Sequence, residues 1–182
     1  MKKERLLSHI ETFLGDIILG INDGLVSILG FVSGAYGAIE NNLLVFITGI
    51  AATLAAALSM ASGVYLARKS EQEFQKNRFD APLVLGTAVQ AGMATGLGFL
   101  IFSLFPLLPY LLLSGFQAFV VSIVFTLLAL FFAGATKTFI TKEKNRWLLR
   151  GIEMMLIGSV TALISYITGV WIGKIAGISF KL

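Results

Sequence analysis

The chain contains no cysteine, a single histidine and three prolines, and only 13% of its 182 residues are charged. The absence of cysteine removes disulfides, thiolate metal ligation and a cysteine nucleophile together. The lone histidine, His9, lies ahead of the first long apolar run and reads as a surface residue. No Ser/His/Asp constellation, phosphate-cradling glycine loop or zinc-protease motif is present, so enzymatic chemistry has little to work with and an enzyme is not expected. The shortage of charge excludes most. Soluble domains carry about 25% charged residues. A composition that is 57% hydrophobic, with a mean hydropathy of +0.87, leaves more apolar surface than a soluble chain of this length can bury. The sequence is that of an all-α integral membrane protein, multi-pass and in contact with the lipid bilayer.

What is present is a set of five apolar stretches of spanning length, residues 13–39, 43–67, 83–105, 110–136 and 151–173, within one membrane domain over 1–182. Glu40-Asn41-Asn42 reads as a tight turn, and Pro106-Leu107-Leu108-Pro109 as the break between the third and fourth spans. Arg68 to Asp80 and Lys137 to Arg150 read as charged connections, with Pro82 opening the third helix. Lys and Arg fall 12 to 2 between the two sides, which puts the N-terminus in the cytoplasm and the C-terminus outside. The basic pI near 9.5 therefore marks orientation in the membrane, and no nucleic-acid partner is expected. About ten mostly polar residues precede an apolar run with no short cleavable core, so no signal peptide is expected. An odd number of spans argues against an internal inverted repeat, so two-fold symmetry would come from a homodimer.

Inside the first span, Asp16, Gly20, Asp23, Ser27, Gly30, Gly34 and Gly37 recur at steps of 4, 3, 4, 3, 4 and 3, which places them on one stripe of a helix. All are small or polar. An aspartate in hydrocarbon costs about 2.5–3.5 kcal/mol even on mild insertion scales. It therefore faces a partner helix, a cavity or an ion path. The spacings Gly20-x-x-x-Gly24 and Gly30-x-x-x-Gly34 permit close helix approach. The stripe is expected to be the seam where two copies of the first helix meet, with Leu25 and Phe31 on the opposite, lipid-facing side. Asp23 would lie well inside the membrane and Asp16 near the cytoplasmic interface, about 10.5 Å away along the axis.

The second span carries its own small-residue stripe, Gly49, Ala52, Ala56, Ser59 and Gly63, with Met60 beside it at a depth matching Asp23. A carboxylate with a thioether suits a borderline cation such as Fe²⁺ better than Mg²⁺ or Ca²⁺. Each of these residues also has a plainer reading. Asp23 could be a hydrogen-bonded structural acid, Asp16 an interfacial charge and Met60 packing material. Three acids, Glu71, Glu73 and Glu153, could form a cytoplasmic metal entry. They could equally be solvated charges, and Glu153 stands three residues after Arg150, within ion-pair reach.

Four segments resemble the vacuolar iron transporter family. They are Gly15-Asp-Ile-Ile-Leu-Gly-Ile-Asn-Asp-Gly-Leu-Val-Ser27, Ser59-Met-Ala-Ser-Gly-Val-Tyr65, Pro106-Leu-Leu-Pro-Tyr110, and the region from Arg150-Gly-Ile-Glu-Met-Met-Leu-Ile-Gly158 to Tyr166. The resemblance implies a five-helix homodimer that moves Fe²⁺, and often Mn²⁺, out of the cytoplasm in exchange for protons, along a path between the two first helices. Asp23 and Met60 fall at the family's intramembrane metal-binding positions and Asp16 at its acid nearer the cytoplasm. Plant and fungal-type relatives carry a glutamate-rich insertion after the second span, and here only Arg68 to Asp80 occupies that place. The chain thus looks like a short form without the cytoplasmic metal-binding domain. It also has Val64 where many members have an acid. The metal is substrate and no cofactor is implied. If the host is a prokaryote, the cell membrane is the expected location. A passive channel, a carrier for another cation, and a non-transporting membrane scaffold subunit are the alternative functions.

Overall fold

The structure, a computed structural model, describes the backbone of residues 2–79, 85–140 and 146–177, and the side chains of 13–78, 87–138 and 146–177. It is all helical over these residues: α1 Lys2–Ile39, α2 Asn42–Phe79, α3 Leu85–Phe102, α4 Leu104–Leu112, α5 Gly115–Ile140 and α6 Trp147–Ile175. Five helical stretches are long and apolar enough to cross a membrane: Phe13–Ile39, Asn42–Arg78, Thr87–Leu112, Gly115–Thr138 and Trp147–Ile175. The side chains of Lys2, Lys3, Arg5, His9, Asp80, Pro82, Lys142, Lys144 and Lys181 lie outside the described residues, as does the expected helix start at Pro82.

The α1–α2 turn forms where expected. Glu40 takes a left-handed φ of 49°. The Asn41 side-chain oxygen accepts the Leu44 amide at 3.0 Å, which caps α2. Asn42 Nδ2 then donates to the Leu113 carbonyl at 3.1 Å, tying this turn to the one between α4 and α5.

Two boundaries depart from the expected ones. The Pro106–Pro109 segment does not end the third span. The chain breaks only at Ser103, and the helix resumes through both prolines to Leu112. Pro106 falls in the first turn of α4, where its missing N–H costs little, so the helix runs on past it. The turn comes later, at extended Leu113 and at Gly115, whose φ of +61° suits glycine. Nor is the stretch from Arg68 onwards a loop: α2 continues through it to Phe79. Its 38 residues span about 57 Å at 1.5 Å per residue, against about 30 Å of hydrocarbon. The charged end therefore reaches well into water as helix.

α1 is the centre of the bundle and packs chiefly on α6 and α3. Leu25, Ile28, Leu29 and Val32 are fully buried there, so Leu25 does not face lipid, and Phe31 packs half-buried on the core. The small stripe does its packing inside one chain. A Cβ on Gly20 would run into the Thr95 carbonyl, and one on Gly24 would lie 2.6 Å from the Phe99 carbonyl oxygen, both on α3. Farther along, Gly30 abuts Thr161, Gly34 the Ser165 backbone and Gly37 the Tyr166 carbonyl, all on α6. Gly169 meets Gly34 from the other side. A strict seven-residue repeat drifts about 20° per heptad around a straight helix, so the stripe's two flanks reach different neighbours. The expected seam between two copies is thus corrected at Gly20, Gly30, Gly34 and Gly37. On α2, likewise, Ser59 is exposed and a Cβ on Gly63 would touch no other helix, whereas Ala57 and Ala61 receive α3 at Gly92 and Gly96.

These contacts separate glycines that a methyl would disturb from those it would not. Gly24→Ala should lower stability in detergent by about 1–3 kcal/mol through the Phe99 clash. Gly63→Ala should be neutral or stabilising by up to about 1 kcal/mol. Thermal unfolding of the purified variants checks both.

Candidate functional site

The middle of the α1 stripe is left open between its two flanks. Asp23 is half-buried and Ser27 exposed, and the Ser27 hydroxyl donates to Asp23 Oδ1 at 2.9 Å. Most intramembrane hydroxyls here do something else. Thr48, Thr95, Ser103, Ser159, Thr161 and Thr168 each bond back to a carbonyl four residues earlier, the ordinary way a helix satisfies them. Ser27 instead spends its proton on a carboxylate and leaves the second oxygen of Asp23 unclaimed by it. A carboxylate and a hydroxyl side by side on the outer surface of a spanning helix cannot face hydrocarbon.

Asp16, two turns nearer the basic end, sits in a different environment. It is only 6% exposed. Arg68 Nη2, from α2, donates to its Oδ1 at 2.8 Å. The Arg68 side chain is 34% exposed, and its other terminal nitrogen lies 3.6 Å from Glu71 Oε2. An acid buried at that depth needs a counter-ion, and a long arginine supplies one while its stem runs towards water. Next to this pair, Gln72 Nε2 donates to Thr87 Oγ1 at 2.7 Å and joins the α2 extension to α3.

Met60 is half-buried on α2 and packs against the apolar cluster that contains Ile28, Val32 and Phe99. The three glutamates considered for metal entry are each engaged locally. Glu71 faces Arg68, Glu73 lies 3.8 Å from Lys69, and Glu153 accepts from Arg150 at 2.9 Å, three residues away on α6. Among the described residues, no group of three or more His, Cys, Asp or Glu side chains converges to hold a metal ion. Among the described side chains, α1 therefore presents two separate acidic positions, an open one at Asp23 and an occupied one at Asp16.

Arg68 is the residue that sequence reasoning overlooked. It was legible only as a topological charge, yet it is the first residue after the second apolar run, at the same membrane boundary as Asp16. That match in depth was the available signal.

The two acids should differ when neutralised. Asp16→Asn removes a charge-assisted bond and leaves Arg68 with a weaker acceptor, so stability should fall by about 1.5–3 kcal/mol. Asp23→Asn disturbs only one exposed hydrogen bond and should stay within about 0.5 kcal/mol of the parent. Denaturant or thermal melts in detergent measure the difference.

A sequence model of the VIT family matches residues 14–82 and 79–170 of this chain. The chain is 26% identical over 208 residues to Vacuolar iron transporter 1 of Oryza sativa subsp. japonica, covering 83% of this chain and 82% of that protein. It is 26% identical over 229 residues to Vacuolar iron transporter 1 of Arabidopsis thaliana, covering 91% of each. Over 58 residues, 32% of this chain and 23% of the relative, identity to Vacuolar iron transporter 1 of Eucalyptus grandis reaches 43%. The 208 aligned positions exceed the 182 residues here, so the rice protein holds residues with no counterpart in this chain.

Proposed function

The chain belongs to the VIT family, and on that premise we propose that it is a divalent-metal transporter, moving Fe²⁺ and also Mn²⁺ out of the cytoplasm against protons as a homodimer. Asp23 is the observation that carries this reading. Its carboxylate accepts from Ser27 at one oxygen and stays only half-buried beside exposed Ser27 on a spanning helix, where lipid would not accept it. A second copy placed against the same face would cover both carboxylates and set them across a two-fold axis. Two such acids balance the charge of one divalent cation, and Met60 of α2 would add a soft thioether.

The same acid supplies the coupling. Metal binding requires the deprotonated carboxylate, so a proton arriving at Asp23 favours release and metal arriving favours proton loss. Asp16 lies on the route from the basic end. The imbalance of Lys and Arg supports a cytoplasmic N-terminus and an external C-terminus, and the single membrane domain would work without a separate metal-capturing module. In a prokaryotic host the cell membrane would house it.

Cysteine at Ser27 should cross-link between copies in the membrane. Cysteine at Ser33, fully buried within the chain, should not. The absence of native cysteine keeps the background clean. In proteoliposomes with an imposed pH gradient, Asp23→Asn should assemble normally and reduce coupled metal uptake to background. Met60→Leu keeps volume and loses the sulfur, so it should weaken Fe²⁺ uptake several-fold more than Mn²⁺ uptake. A folded Asp23→Asn protein that exchanges metal for protons at the parent rate would sink the reading.

A further inference from the structure

We propose that Arg68 is the resident counter-cation of Asp16, and that a transported cation must displace it to use that carboxylate, so the pair acts as an entry gate at the basic end of the bundle. The inference rests on the transport reading above. It goes beyond that reading by assigning a role to a residue of α2 that is neither a metal ligand nor part of the Asp23 face.

Three observations carry it. First, Asp16 is 6% exposed and already satisfied at Oδ1 by the guanidinium at 2.8 Å. A metal ion and Arg68 therefore compete for the same buried carboxylate. Second, the guanidinium has somewhere to go. Glu71 Oε2 stands 3.6 Å from its other terminal nitrogen, on the same helix and at the exposed edge. Release from Asp16 then moves Arg68 from a shared position between two acids onto one of them, without stranding its charge in the bundle. Third, the contact is not the sole tie on α2. Gly92 and Gly96 of α3 pack directly on the Ala57–Ala61–Tyr65 face, and Gln72 bonds Thr87.

The exchange also selects by charge. Replacing a monovalent guanidinium with another monovalent cation gains no net attraction to the carboxylate, whereas a divalent cation does gain it. Arg68 would thus raise the concentration of metal needed for loading while rejecting the abundant monovalent ions.

The test uses the full chain in proteoliposomes, with Fe²⁺ kept reduced by ascorbate. Arg68→Gln should lower the half-saturating Fe²⁺ concentration by about tenfold, the factor set by one charge-assisted hydrogen bond, without raising the maximal rate in proportion. Arg68→Lys keeps the charge and should stay close to the parent. An Arg68→Gln protein that folds and assembles yet shows unchanged or weaker half-saturation overturns the proposal. So does an Arg68→Lys protein that shifts as far as Arg68→Gln. Should Arg68→Gln fail to fold, the parent protein answers alone. Phenylglyoxal adducts at Arg68, followed by peptide mass spectrometry with exposed Arg146 as internal reference, should form several-fold faster in saturating Fe²⁺. An unchanged rate refutes displacement. Failure of the gate leaves parent metal flux intact, while a parent protein that moves no divalent metal refutes the transport reading itself.

Discussion

Helices surrounded by lipid gain little by hiding apolar surface from it, so cohesion depends on how closely their backbones approach. Here that constraint falls on α1. Its glycines admit the backbone of α3 near Thr95 and Phe99 and the backbone of α6 near Ser165 and Tyr166. Gly34 and Gly169 bring two main chains together with no side chain between them. The central helix is gripped on both flanks, while α2 on α3 and α5 on α6 add interfaces of their own. The line left open between the grips is where Asp23 and Ser27 emerge.

The two aspartates of α1 show how one helix can hold like residues in unlike states. Asp16 lies where α2 runs alongside with an arginine, and it is buried and paired. Asp23 lies one heptad on; among the described residues it has no ion-pair partner, and the Ser27 hydroxyl of its own helix donates to it. A paired buried carboxylate is costly to disturb, whereas a half-buried one held by a hydroxyl leaves its charge largely uncompensated. Two turns apart on one helix, the two carboxylates thus sit in different electrostatic surroundings.

The five spans were legible in the sequence because hydropathy is a local property and each run is long enough to declare itself. The Glu40–Asn42 turn was legible for the same reason. The prolines misled because composition marks proline as a breaker, while its effect depends on position: Pro106 lies in a first turn, where it is tolerated. The stripe was visible, but its neighbours were not, since no local pattern says which helix covers which flank. The Asp16–Arg68 pair joins residues 52 positions apart. Seen in sequence, Arg68 is one more basic residue at a membrane edge, and only packing shows that it points inward.

The tie between Asn42 and the Leu113 carbonyl binds the two turns at one end of the bundle, while α2 runs 38 residues without interruption to the other. Between those ends α3 holds it at two levels: Gly92 and Gly96 receive the Ala57–Ala61–Tyr65 face, and Gln72 bonds Thr87 farther along. A helix fixed at its start, middle and charged end is a strut. A rigid swing of about 5° at the Glu40 turn would carry Ala61, about 28 Å away, by about 2.5 Å, enough to break the close contacts at Gly92 and Gly96.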